Sequence, residues 1–326
     1  MITVLATGPL LTVQDLGRPG ARRYGVPAGG AIDRFALVAA NRLVGNPSGA
    51  AALEITAGGA ELAFAGAAII AITGGDLRAC RAGRPLPCWT AIHVGRGERI
   101  IFAGRSGSWG ARAYLAVAGG IAVPPVLGSR ATDLAGGFGG LTGRALRPGD
   151  HLPVGAVSSA TLSLGRHWPA ALRPAYGPTP CLRVLPGPHG ACFAPDVLAA
   201  LTALTLQVSA TSNRMGYRLT GVQLAYTRPC SLASLGVVPG VIQVPPDGAP
   251  ILLMADAQTT GGYPVVATVI GPDLPLAAQL LPGDSLRLAP TTLELALAAR
   301  RAEALALAHP LDADEGDLLA ALAGGD

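Results

Sequence analysis

Between residues 67 and 118 the chain alternates short apolar runs with glycine-bearing breaks. Ala67–Thr73 is apolar and stops at Gly74-Gly75. Leu86–Val94 follows the turn at 83–85, Glu98–Ala103 follows Gly95-Arg96-Gly97, and Ala111–Ala118 ends at Gly119-Gly120. Runs this short at this spacing predict the strands of an antiparallel sheet or barrel. Helices are expected to be few. Asp33 is placed to cap one running through Phe35, Val38, Ala39 and Leu43, with Gly45 ending it. Asp273 and Pro275 predict the start of a short helix reaching Leu281, and the Ala/Leu-rich stretch 292–308 predicts a C-terminal helix.

The two halves echo each other in order. Gly59–Phe64 resembles Gly221–Tyr226, Gly119-Gly120 corresponds to Gly261-Gly262, and Arg147–Leu152 corresponds to Leu281–Leu286. A duplicated β-unit with shorter loops in its second copy has this pattern. Each match alone is weak, because Pro-Gly-Asp is a common turn. The expected organisation is a first lobe over 1–167, a Pro-rich linker over 168–180, a second lobe over 181–290, and a C-terminal helix with an acidic tail over 291–326. A chain of 326 residues suits two cores.

Composition narrows the chemistry. All 24 basic residues are Arg and none is Lys. That rules out a P-loop lysine, a Schiff base, and covalent attachment of biotin or a lipoyl group to this chain. Residues 1–170 hold 16 Arg and 8 acids, whereas 171–326 hold 8 and 12. The basic stretch 77–112 reads as a solvated hairpin surface, and aromatics at 4% are too sparse for a nucleic-acid stacking platform. No apolar run is long enough to span a membrane. The opening residues read as a strand rather than a signal peptide. Five cysteines without a C-x-x-C predict neither a disulfide framework nor a zinc cluster. These features together suggest a reducing, cytoplasmic setting.

Most catalytic templates are missing: there is no H-E-x-x-H and no G-x-S-x-G. His151 and His189 read as satisfied surface or loop residues. The most unusual segment is 250–267, where two apolar runs flank Asp256, Gln258, Thr259, Thr260, Gly261, Gly262 and Tyr263. A carboxylate, an amide, two hydroxyls and two glycines suit an amide or a developing oxyanion, and equally suit a polar hairpin bonded to its own backbone. Arg214 is able to grip a carboxylate or to lie in a solvated turn. Gln243 stands out from an otherwise apolar strand, and Asp76 follows a buried strand.

Taken together, T-V-Q-D-L-G-R-P-G (12–20), G-V-P-A-G-G-A-I-D (25–33), A-N-R-L-V-G-N (40–46), Y-L-A-V-A-G-G-I (114–121), V-L-G-S-R (126–130), R-V-L-P-G-P (183–188), R-M-G-Y-R-L (214–219), V-P-G-V-I-Q-V-P-P-D-G (238–248) and D-A-Q-T-T-G-G-Y-P (256–264) resemble the biotin-dependent carboxyltransferase family, also called allophanate hydrolase subunit 2. Its stand-alone bacterial members are C subunits of 5-oxoprolinase. The resemblance implies a mainly β fold of tandem cyclophilin-like β-barrels. It also implies partners resembling the A and B subunits of 5-oxoprolinase, and ATP-dependent opening of 5-oxoproline to glutamate by the complex. In fused relatives the same module moves a carboxyl group from a partner's carboxybiotin to urea. Some members instead regulate a kinase inhibitor that resembles the B subunit. No resident metal is expected. By resemblance, Asp256, Gln258, Thr259 and Thr260 are candidate catalytic residues. Asp76, Arg214, Gln243, Gly261, Gly262 and Tyr263 are candidate substrate-binding residues, and Asp33 and Glu54 fall in matching motifs. The family commonly has acids where this chain has Asn213 and Leu235.

Overall fold

The structure is a computed structural model that describes residues 1–107, 109–157, 164–228, 230 and 232–311. The expected acidic tail, residues 312–326, lies outside them. The described chain is mainly β with few helices. It separates into two compact units that are not contiguous in sequence. One takes Met1–Gly17, Asp33–Arg173 and the end of the chain from Ala306. The other takes Arg18–Ile32 and Pro174–Leu305.

The first unit is built on two sheets. One has six strands in the order His151–Leu152, Ile2–Thr7, Ala60–Phe64, Arg99–Phe102, Ala79–Arg81, Arg84–Pro85. The other has five, in the order Leu10–Gln14, Ala52–Thr56, Arg112–Val117, Ala68–Gly74, Ala91–Val94. Alternation sets the faces: Ile100 and Phe102 are buried while Arg99 and Ile101 are exposed. Both sheets contribute to one core, which includes Val4, Leu11, Leu53, Leu62, Ile72 and Leu115. Arg112–Val117 is buried throughout because helix α1 (Arg34–Leu43) packs against it. Asp33 caps α1 as expected, its Oδ1 accepting from Ala36 N at 2.9 Å. The capping peptide N–H of Asp33 donates to Tyr114 Oη, whose hydroxyl donates to Glu54 Oε2 at 2.6 Å. Asp33 and Glu54 thus form a structural network. The run 86–94 is a strand only over Ala91–Val94. Pro87 cannot donate to a ladder, and Trp89 has a φ of 62°.

The second unit is a closed seven-strand barrel. Its order is Cys181–Pro186, Val265–Val269, Val241–Gln243, Ile251–Leu253, Gly216–Thr220, Thr205–Val208, Ser285–Pro290, and a parallel pairing of the last strand with the first closes it. Closure leaves no sheet edge unpaired. Leu182, Val184, Leu219, Ile242, Leu252 and Leu286 fill the interior. A short helix α2 (Val197–Thr202), not signalled in the sequence, precedes the second barrel strand. Asp273 does not cap its helix. Arg183 takes both carboxylate oxygens, at 2.6 and 3.0 Å, and a 3-10 turn over Gly271–Asp273 leads into α3 (Leu274–Ala278), which stops short of Leu281. The C-terminal helix α4 covers Leu293–Ala308.

The internal echo holds at one place and fails at another. Gly149 and Gly283 both have a φ of 91°, with Asp150 Oδ2 accepting from Arg147 N and Asp284 Oδ2 accepting from Leu281 N. Each turn leads into a strand. Ala60–Phe64 is a strand, but its counterpart at 221–226 is not. Cys192 and Cys230 are joined in a disulfide, which the odd cysteine count and the spacing gave no reason to expect.

Candidate functional site

The residues expected to act together fall into three groups. Arg214 and Asp256 form a buried pair in the second unit. Arg214 Nε donates to Asp256 Oδ2 at 2.8 Å and Nη2 donates to Oδ1 at 2.9 Å, with a further bond from Nη2 to Gly30 O at 2.6 Å. The residues are 5% and 7% exposed. Each carboxylate oxygen accepts one bond from Arg214, so the structure shows Asp256 as a buried anchor for that guanidinium. Arg214 is not a solvated clamp.

Gln243, Gln258, Gly261 and Tyr263 form the second group. Gln243 sits on a barrel strand, 1% exposed. Its Nε2 donates to Tyr263 O at 3.3 Å, and its Oε1 accepts from Gln258 Nε2 at 3.2 Å. The two amides therefore lie head to tail and carry no charge. A Cβ on Gly261 would stand 2.6 Å from Gln243 Nε2, so the glycine is what lets the buried amide lie there. Thr259 O accepts from Val237 N at 3.0 Å, and Thr260–Gly261 pairs with Leu235–Gly236 as a small ladder. The segment 256–263 is thus partly strand-paired and not an open hairpin tip. Gly262 and Tyr263 are exposed.

Asp76 is bonded to neither group among the described residues. It belongs to the first unit, is exposed, and its Oδ1 accepts from Arg78 N at 2.7 Å in a local turn. Asn213 is also a turn residue, its Oδ1 accepting from Met215 N. Leu235, the other departure from the family pattern, is 46% exposed.

A cleft of about 120 Å³ opens beside the second group. Gly261, Tyr263, Leu235, Val237, Val241 and His189 are among its lining residues, and among the described residues no Arg, Asp or Glu lines it. Sequence reasoning set His189 aside. The only signal it offered was a histidine directly after the stiff Pro186-Gly187-Pro188 turn. The same segment borders a larger, mainly apolar cleft of about 620 Å³, with Phe193, Pro195, Val197 and Leu198 on its wall. Tyr226 donates to Val244 O at 2.5 Å; burial, with Tyr263 and Asp247 nearby, raises its phenol and keeps it a donor. Within the smaller cleft, His189, Tyr263 and Thr268 are neutral polar groups able to orient an uncharged ligand. That cleft offers no positive charge to a triphosphate.

The barrel and its neutral cleft belong to a recognisable class. The family model described as carboxyltransferase domain, subdomain A and B, matches residues 24–290, and the chain belongs to that family. Among its relatives, the 5-oxoprolinase C subunit of Escherichia coli (strain K12) is 41% identical over 92% of this chain and 94% of its own length. The protein of the same name from Haemophilus influenzae is 35% identical over the same shares. Among solved structures, the K. lactis urea amidolyase superposes with a TM-score of 0.88 at 32% identity, covering 94% of this chain and 20% of that one.

Proposed function

We propose that this chain is the C subunit of a multi-subunit enzyme that opens 5-oxoproline to glutamate with ATP, its part being to hold the lactam. The observation that carries the proposal is the 41% identity to a 5-oxoprolinase C subunit across nearly the full length of both chains. The cleft's chemistry agrees with it. Gly261, Tyr263, His189 and Thr268 border a small space suited to an uncharged ring amide, with the Gln243–Gln258 amide pair packed behind Gly261. Neither cleft described above fits a nucleotide, since no charged side chain among the described residues lines either of them. On this proposal ATP belongs to the partners that resemble the A and B subunits of 5-oxoprolinase. Thr259, Thr260 and Gly262 are assigned to shaping the approach, and Asp256 and Arg214 to holding the segment that presents them. The lactam opens in the cytoplasm on this proposal, and there the Cys192–Cys230 bridge is expected to be reduced.

Co-expression with both partners tests the proposal. The complete complex should hydrolyse ATP only when 5-oxoproline is present and release glutamate, and omission of this chain should abolish that coupling. A complete complex that turns over no 5-oxoproline would refute it. A second reading, carboxyl transfer from a partner's carboxybiotin to a urea-like amide, is favoured by the close superposition on a urea amidolyase. It predicts bicarbonate- and biotin-dependent ATP hydrolysis, and insensitivity to avidin would eliminate it.

A further inference from the structure

We propose that His189 donates a hydrogen bond from Nε2–H to the carbonyl oxygen of the small amide held in the cleft beside Gly261 and Tyr263; this rests on the amide-opening function proposed above. The ring is held from two directions. Val265 N donates to His189 Nδ1 at 3.0 Å, while His189 N donates to Val265 O at 3.3 Å. The preceding turn is equally fixed. Gly187 N donates to Val266 O at 2.9 Å, and a Cβ on Gly187 would fall 2.3 Å from Val265 O, so only glycine lets this segment lie on the strand. Prolines at 186 and 188 restrict the backbone on either side.

The bond to Nδ1 selects the tautomer. A backbone N–H only donates, so Nδ1 must present its lone pair and the ring hydrogen resides on Nε2. No other hydrogen bond to this ring occurs among the described residues, and the residue is half-buried on the wall of the cleft. Leu235, Val237, Val241 and Val265 supply apolar wall, which limits competition from water. A neutral donor in an uncharged, largely apolar space suits a carbonyl oxygen better than a carboxylate or phosphate. The bond gains strength as that oxygen takes on negative charge when the carbonyl carbon is attacked.

The test uses the complete complex and two substitutions that divide the imidazole's functions. His189→Asn keeps an acceptor for Val265 N–H but removes the Nε2 donor, whereas His189→Gln places an amide N–H near the Nε2 position. His189→Asn should lower kcat about 10²–10³-fold, the usual effect of losing one oxyanion donor, with KM for 5-oxoproline changed only a few-fold. His189→Gln should recover part of the loss. Wild-type kcat in His189→Asn overturns the role of His189 while leaving the lactam-opening function intact. If instead the wild-type complex turns over no 5-oxoproline, or His189→Asn does not assemble, titration of the ¹⁵N-labelled wild-type chain with 2-pyrrolidinone decides. A saturable shift of the His189 Nε2 resonance supports the donor role, and an unmoved resonance overturns it.

Discussion

Replacing Asp256 by Ala should destabilise the second unit far more than a surface change, because it takes a bidentate carboxylate away from a buried guanidinium. The Arg214 and Asp256 side chains are 6% and 9% exposed and share two charge-assisted bonds, at 2.8 and 2.9 Å. Without the carboxylate, Arg214 retains its bond to Gly30 O but loses both charge-assisted bonds to Asp256. Removing one partner of such a pair costs about 3–5 kcal/mol. Replacing both, as Arg214→Met with Asp256→Leu, should cost much less, since neither charge then needs desolvation. Salt should change little, because a buried pair is weakly screened. Urea unfolding gives the global value, and native hydrogen exchange gives the local one. The Asp256 amide, bonded to Arg214 O, and the Gly29 amide, bonded to Ala255 O, report directly. Their exchange should accelerate by roughly 10²–10⁴-fold in Asp256→Ala, the factor expected if they open with the lost stability. The reasoning fails if Asp256→Ala abolishes turnover while the urea-derived stability moves by less than about 1 kcal/mol, for the carboxylate would then act on substrate and not on Arg214.

Two further outcomes are expected in the first unit. Tyr114→Phe removes the hydroxyl that joins Glu54 Oε2 to the Asp33 N–H, all three residues being fully buried or nearly so. It should cost about 1–3 kcal/mol in chemical unfolding, and a neutral result would disprove the network's importance. Asp150 is held below the ordinary carboxylate range, chiefly by its hydrogen bonds from Arg144. Its contribution is fully present above about pH 4 and is lost as pH falls through the lowered folded value. Asp150→Asn should therefore flatten the acid limb of the stability–pH curve, and an unchanged limb would show that the pairing is not felt.

The fold was legible where short-range patterning decides it. Glycine-punctuated apolar runs gave the strands, and Asp33 gave the start of α1, because a cap three residues ahead of a free N–H is a local event. Asp273 had the same local signature, but a distant Arg183 took its carboxylate. The pairing of Asp256 was hidden for the same reason. Its sequence neighbours are hydroxyls, amides and glycines, while its true partner lies at 214. The Gln243–Gln258 contact was half-visible as an amide on an apolar strand. His189 was not visible, since its role depends on Val265, in a strand far along the chain. Barrel closure by a parallel pairing of the first and last strands left no mark in the sequence.

The allotment of Arg18–Ile32 to the second unit has a consequence for how this polypeptide is made and cut. Arg22 bonds Val237 O, Gly29 bonds Ala255 O, and Ile32 joins the barrel's apolar interior. On a ribosome those fifteen or so residues emerge early and must wait, unmatched, until more than two hundred others have followed. Expression from Pro174 onward would yield a barrel lacking its own strap, with Arg214 short of one ligand. The Pro-rich stretch is therefore a poor place to divide the gene. A fragment that keeps the barrel whole has to carry the early segment with it, either as a permuted chain or as a peptide added in trans.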